Sequence, residues 1–258
     1  FAAGVVPGLL VGLALMAVTA IISKRRNYPK TEKRAPIGEV AQSAKNAALP
    51  LLTPVIIIGG ITGGVFTPTE AASIAAFYAL ILSLFVLKTL KPSELPQIFL
   101  HAAVSSGAIL LVVGTATAFA WIATLSQVPI KLSTLLFSIS DNPYMLLFLI
   151  NVLLLFVGMF LDAGPAILIL GPILAPTMVQ LGVHPLHFAI IMCVNLTVGL
   201  ATPPMGLILF VASGLTRLRV EVIALEMLPF LAIEIGVIFL ITYVPAVSMT
   251  IPKLLGFY

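Results

Sequence analysis

The residue types best suited to chemistry in this chain lie in Asn195 to Gly206, NLTVGLATPPMG. A long apolar run reaches Val198, and another, LILFVASG, starts at Leu207. Between them stand Gly199, Thr202, the adjacent pair Pro203 and Pro204, and Gly206. Adjacent prolines remove two backbone N–H donors, and each ring clashes with the preceding helical turn. Pro204 also drives Pro203 out of the α region. A helix cannot run through, so backbone groups near Gly199 to Pro203 lose their helical partners. In hydrocarbon such groups cost several kcal/mol each unless protein, water or an ion satisfies them. Two readings follow: a proline kink stitched up by neighbouring helices, or a discontinuous helix whose freed carbonyls and threonine hydroxyls bind a cation. The second reading makes Asn195, Thr197, Gly199 and Thr202 candidate cation ligands. The segment after Pro204 would turn the positive end of its dipole toward an anion, which adds Pro203, Pro204 and Gly206 as anion-binding candidates.

Asp162 is the acid that lies between two long apolar runs at a Gly-Pro break, Leu161-Asp162-Ala163-Gly164-Pro165. An ionised carboxylate at membrane depth is costly and faces protein, water or an ion. It can cap the helix that begins near Pro165, sit in an exposed loop, or occupy the tip of a re-entrant hairpin close to Thr202. The hairpin reading places Asp162 in the cation set and Asp162 with Gly164 beside an anion. Glu70 stands three residues after Thr67, the spacing of a capping box, with Pro68 at the first helical position. Gly59, Gly60, Gly63 and Gly64 beside it suit close helix packing. His101, His184 and His187 fall at span ends, and no Cys, Asp or Glu nearby completes a metal set around the last two. Glu234 lies inside the last apolar run and stays open to either reading. No nucleophile elbow or phosphate-binding Gly-Lys loop is visible. Intramembrane aspartyl chemistry needs two carboxylates sharing a proton, and only Asp162 with Glu234 could be imagined as that pair. No catalytic residue is assigned.

The elements that carry these groups are set by an apolar composition. Apolar residues make up 60% of the chain and charged residues 9%, with a mean hydropathy of +1.21. Soluble domains average about 25% charged residues, so the fold class is an all-α polytopic membrane protein. The net charge of +4 sits in short loops and does not suggest nucleic acid. The single cysteine, Cys193, excludes a disulfide framework. The chain opens at Phe1 inside an apolar run followed by Lys24-Arg25-Arg26, the reverse order of a signal peptide. A preceding part of the protein is therefore expected.

Residues 1–23 read as a span, 24–49 as a basic loop with a surface helix over 36–49, and 50–125 as further spans. Residues 126–141 read as an amphipathic arm, 142–184 as a hairpin, 185–216 as the broken helix and 222–246 as the last span. Placing loops 24–49, 88–96 and 217–221 in the cytoplasm puts eleven of the thirteen basic residues inside, leaving Lys131 and Lys253 outside.

Four stretches resemble the large membrane (M) subunit of the tripartite ATP-independent periplasmic (TRAP) transporters. They are FAAGVVPGLL at 1–10, GGITGGVFTPTEAA at 59–72, GMFLDAGPAILILGPILAP at 158–176 and NLTVGLATPPMG at 195–206. The resemblance implies an inverted-repeat, elevator-type fold, of which this chain is the C-terminal half. Residues 1–23 would then be the closing helix of a first repeat that lies outside it. It also implies a sodium-coupled importer of small organic acids, of C4-dicarboxylate or sialic acid type, in the bacterial inner membrane. Na+ is the implied coupling ion. The implied partners are a small membrane subunit (Q type), a periplasmic substrate-binding protein (P type), the N-terminal half of the same subunit and the bilayer. A divalent-anion/sodium symporter that needs no binding protein is the neighbouring alternative, and an intramembrane enzyme the distant one.

Overall fold

The computed structural model describes residues 1–28, 36–140 and 142–256, apart from the side chains of residues 129, 133, 136 and 137. Lys30, Lys33 and Arg34 of the basic loop lie outside the described residues. Eleven α-helices follow in order: α1 (Ala2–Arg25), α2 (Ile37–Thr62), α3 (Pro68–Ile81), α4 (Leu95–Leu125), α5 (Val128–Ile139) and α6 (Pro143–Gly158). Then come α7 (Ala163–Gln180), α8 (Pro185–Gly199), α9 (Leu207–Thr216), α10 (Val220–Tyr243) and α11 (Ala246–Leu254). Among the described residues there is no strand. Six helical segments are long and apolar enough to cross a membrane: 2–25, 37–62, 68–86, 92–125, 163–180 and 220–243. The chain is an all-α polytopic membrane protein.

The helices form two compact units, one of residues 27–108 and one of residues 2–26 with 109–258. In the first, α2 and α3 pack together, and the Tyr78 hydroxyl donates to the Leu49 carbonyl at 2.9 Å. The capping box at Thr67 forms as its spacing predicts. Glu70 Oε2 accepts from the Thr67 amide at 2.8 Å, while Thr67 Oγ1 accepts from the Glu70 amide at 3.3 Å. One boundary differs from expectation. The surface helix over 36–49 and the run that follows it are a single helix, α2, which passes through Pro50 and Pro54. Pro7, Pro172, Pro176, Pro229 and Pro252 also lie inside helices. An isolated proline removes one N–H, and neighbouring helices and local adjustment re-satisfy what it frees. The adjacent pair at 203–204 leaves a gap of seven residues between α8 and α9.

The second unit holds the residues of interest. Leu146, Ile150 and Leu154 of α6, four apart on one face, pack with Leu174 and Met178 of α7 and with Phe188, Ile191 and Leu196 of α8. Asn142 caps α6, its Oδ1 accepting from the Tyr144 amide at 2.9 Å, and Pro143 fills the first helical position. His184 does the same for α8, its Nδ1 accepting from the Leu186 amide at 3.2 Å ahead of Pro185. Helix α6 runs antiparallel to α10. The Tyr243 hydroxyl donates to the Tyr144 carbonyl at 3.1 Å, and Phe148 stacks on Phe239 with centroids 5.6 Å apart. Farther along, Leu155 clusters with Leu231 near the middle of α10. Gly182 and Val183, at the far end of α7, return to the Tyr144–Tyr243 end. Thus α6 and α7 form a hairpin with both open ends at one end of α10 and a tip beside its middle. At the opposite end, Arg26 Nη1 meets Glu226 Oε2 at 2.6 Å, linking α1 to α10.

Candidate functional site

Two chain breaks meet at this depth. The hairpin turns over Met159 to Asp162, and α8 ends at Gly199 before α9 starts at Leu207. Gly158 and Gly199 lie backbone against backbone. A Cβ added to Gly199 would stand 2.6 Å from the Gly158 Cα and 2.8 Å from its carbonyl carbon. The Gly206 amide donates to the Met159 carbonyl at 3.2 Å, tying the second break to the hairpin tip. Gly206 adopts φ 49°, a left-handed conformation that suits glycine. The peptide between Pro203 and Pro204 is cis.

Much of the backbone freed by the prolines is re-paired on the spot. The Gly199 carbonyl accepts from the Thr202 amide at 2.9 Å, and the Leu200 carbonyl accepts from the Ile208 amide at 3.1 Å. The Val198 carbonyl accepts from the Ala201 amide at 3.0 Å and from Thr202 Oγ1 at 2.9 Å. A hydroxyl that donates still has lone pairs to offer a cation, and each carbonyl oxygen has two. The helix termini add electrostatics. Helices α6 and α8 end here, presenting carbonyls, while α7 and α9 begin here, presenting amides.

The sequence-predicted residues are divided by this geometry. Asn195, Gly199 and Thr202 recur at helical spacing, and the first two face α6. Thr197 lies on another face, with its hydroxyl donating to the Cys193 carbonyl at 2.7 Å, and lines a cavity against α1. Asp162 takes the N-cap position of α7, yet its side chain makes no capping hydrogen bond; its carbonyl accepts from the Ala166 amide at 3.0 Å. Both Asp162 and Gly164 are exposed. Pro203 and Pro204 wall a separate cleft of about 610 Å³ with Phe210, Leu225 and Glu221. A carboxylate there ill suits an anion.

Sequence reasoning missed the polar groups behind the break. Asn151 and Asn195 are fully buried, and Asn195 Nδ2 donates to Asn151 Oδ1 at 2.7 Å and to the Ile191 carbonyl at 2.8 Å. Asn151 Oδ1 also accepts from Thr242 Oγ1 at 3.0 Å. His187 Nε2 lies 3.2 Å from the Thr242 carbonyl, so it carries the hydrogen. Its Nδ1, 2.6 Å from Ser248 Oγ, then accepts from that hydroxyl. His187 is thus a structural link in a polar chain across α6, α8, α10 and α11. Asn195 Oδ1 is left buried without a partner, the one predicted ligand oxygen with an open need. The signal was available: Asn151 stands alone in an unbroken apolar helix. Among the described residues, no group of three or more His, Cys, Asp or Glu could hold a metal.

The chain matches the family described as the tripartite ATP-independent periplasmic transporter, DctM component, over residues 1–247. It belongs to that family. Among its relatives is the C4-dicarboxylate TRAP transporter large permease protein DctM of Pseudomonas aeruginosa, 40% identical over 99% of this chain and 60% of the relative. The sialic acid TRAP transporter large permease protein SiaM of Vibrio cholerae is 40% identical over 98% and 59%. The isethionate TRAP transporter permease protein DctMQ of Oleidesulfovibrio alaskensis is 41% identical over 96% and 39%. The chain therefore spans between 39% and 60% of the length of these relatives. As a TRAP permease chain it is a membrane transport component and not an enzyme.

Two predictions concern what holds the site. Gly199→Ala must push α6 and α8 apart, since every atom the new methyl meets is backbone. It should cost about 1–3 kcal/mol in thermal or denaturant unfolding, while Gly214→Ala, with open space around it, should not destabilise. Asn151→Leu should cost about 1–3 kcal/mol by orphaning buried groups. Asn151→Leu combined with Asn195→Leu should recover part of that loss, which a double-mutant cycle measures.

Proposed function

We propose that the chain forms the ion- and substrate-handling half of a sodium-coupled importer of small organic acids in a bacterial inner membrane. The observation that carries this is the meeting of four helix ends at one depth. The carbonyl ends of α6 and α8 suit a small hard cation, and the amide ends of α7 and α9 suit an oxyanion. The relatives' names supply the substrate class: C4-dicarboxylates, sialic acid and isethionate are all small organic anions. Sodium takes oxygen ligands, and the Asn195 amide oxygen, the Gly199 carbonyl and the Thr202 hydroxyl are the donors best placed to hold it. Asp162, an acid at the hairpin tip, would serve the cation better than the anion. Thr197 faces elsewhere and would contribute only after rearrangement. The substrate's carboxylate or sulfonate would lie against the α7 amides near Gly164 and the start of α9 beside Gly206, where the Gly206 and Ile208 amides are already engaged and the Leu207 amide is left to meet it.

In this reading the 143–180 hairpin is re-entrant, residues 24–49 (the basic loop and the first half of α2) and loops 88–96 and 217–221 are cytoplasmic, and the unit moves by an elevator-type displacement against an N-terminal half. A small membrane subunit and a periplasmic substrate-binding protein complete the transporter.

Thr202→Val keeps the shape and removes one oxygen, so it should raise the sodium concentration for half-maximal uptake into proteoliposomes, with folding intact. Wild-type sodium dependence in a well-folded variant removes Thr202 from the site. Uptake that needs neither sodium nor the binding protein would overturn the functional reading itself.

A further inference from the structure

A carboxylate unused by this account lies inside the second unit. Glu234 sits near the middle of α10, and its Oε2 is buried with no hydrogen-bond partner. It lines a half-open cleft of about 380 Å³ between α1, α8, α9 and α10. Helix α1 contributes only Gly4, Pro7, Gly8 and Val11. From α8 come the Thr197 hydroxyl and Cys193, the only other titratable group that faces it, and α9 offers Ile208. No basic residue lines the cleft.

We propose that Glu234 is a proton-binding site. A bare carboxylate among apolar walls costs far more than the neutral acid. A metal cation needs several oxygens around it, and the side chains of this cleft offer only one carboxyl group and one hydroxyl. A proton needs a single oxygen. The site also touches the break. Ala201 and Ile208 form part of the wall, and the Ile208 amide holds the Leu200 carbonyl at 3.1 Å across the gap between α8 and α9. Movement at that gap changes the wall beside the acid, and with it the cost of ionising the carboxyl. Proton occupancy of Glu234 thus follows the state of the broken helix.

The test uses the intact transporter in membrane vesicles and a hydrophobic carbodiimide, dicyclohexylcarbodiimide. A protonated carboxyl adds across one C=N bond: its proton goes to nitrogen, its oxygen joins the central carbon, and an acyl shift leaves a stable N-acylurea. Peptide mapping by mass spectrometry should find the adduct on Glu234. Its yield should fall about tenfold per pH unit once the acid ionises. Cys193 is exposed at the mouth of the same cleft, so an uncharged thiol reagent there reports that reagent reaches it. Modification of Cys193 with no adduct on Glu234 overturns the proposal. Glu234→Gln should flatten the pH profile of uptake, and an unchanged profile in that variant also counts against it. The labelling arm needs neither substrate nor sodium, so its failure is distinct from failure of the transport reading.

Discussion

Gly158 and Gly199 let two helix ends touch through their backbones, and the rest of the site depends on that approach. A side chain at either position would part α6 from α8 by the width of a methyl group. The Met159 carbonyl would then lose the Gly206 amide, and the hairpin tip would no longer sit against the broken helix. Four helix ends converge because two residues have nothing to place between them. The adjacent prolines decide where α8 stops, while the glycine pair decides what it stops against.

Behind this contact lies a polar seam in an apolar bundle. Hydrocarbon gives little drive for helices to associate with one another instead of with lipid, so packing and buried hydrogen bonds must specify the arrangement. The chain from Asn195 through Asn151, Thr242 and His187 to Ser248 does this for four helices at once. The bonds that join its members across helices form only when α6, α8, α10 and α11 are in register. The aromatic contacts between Tyr144, Phe148, Phe239 and Tyr243 fix the same register from the side.

What could be read from the sequence was local. Thr67 with Glu70, and the break at Pro203–Pro204, follow from neighbours within a few residues, and both stand where their spacing places them. The short helix over 128–139 and the turn at Asp162 follow from apolar period and turn chemistry. Partners joined across 44, 61 or 91 residues left no such trace. Asn195 therefore read as a ligand before Asn151 was known to hold its amide. His187 read as an interfacial histidine although it is buried, because nothing nearby in sequence announces Ser248 or Thr242. The merging of 36–49 into α2 was hidden for another reason. Proline rules describe a helix in water, whereas a helix in a bundle can leave one carbonyl to a neighbour and continue.

Pro172 and Pro176 in α7 carry a consequence of that kind. Neither has an amide to return to the helix, so the carbonyls of Leu168 and Pro172 lose their usual acceptor role within it. Leu168, Pro172 and Pro176 recur four apart, and all three are exposed on the second unit. On this exposed stripe only local adjustment within α7 can re-pair the freed carbonyls, because acyl chains have no donors to offer.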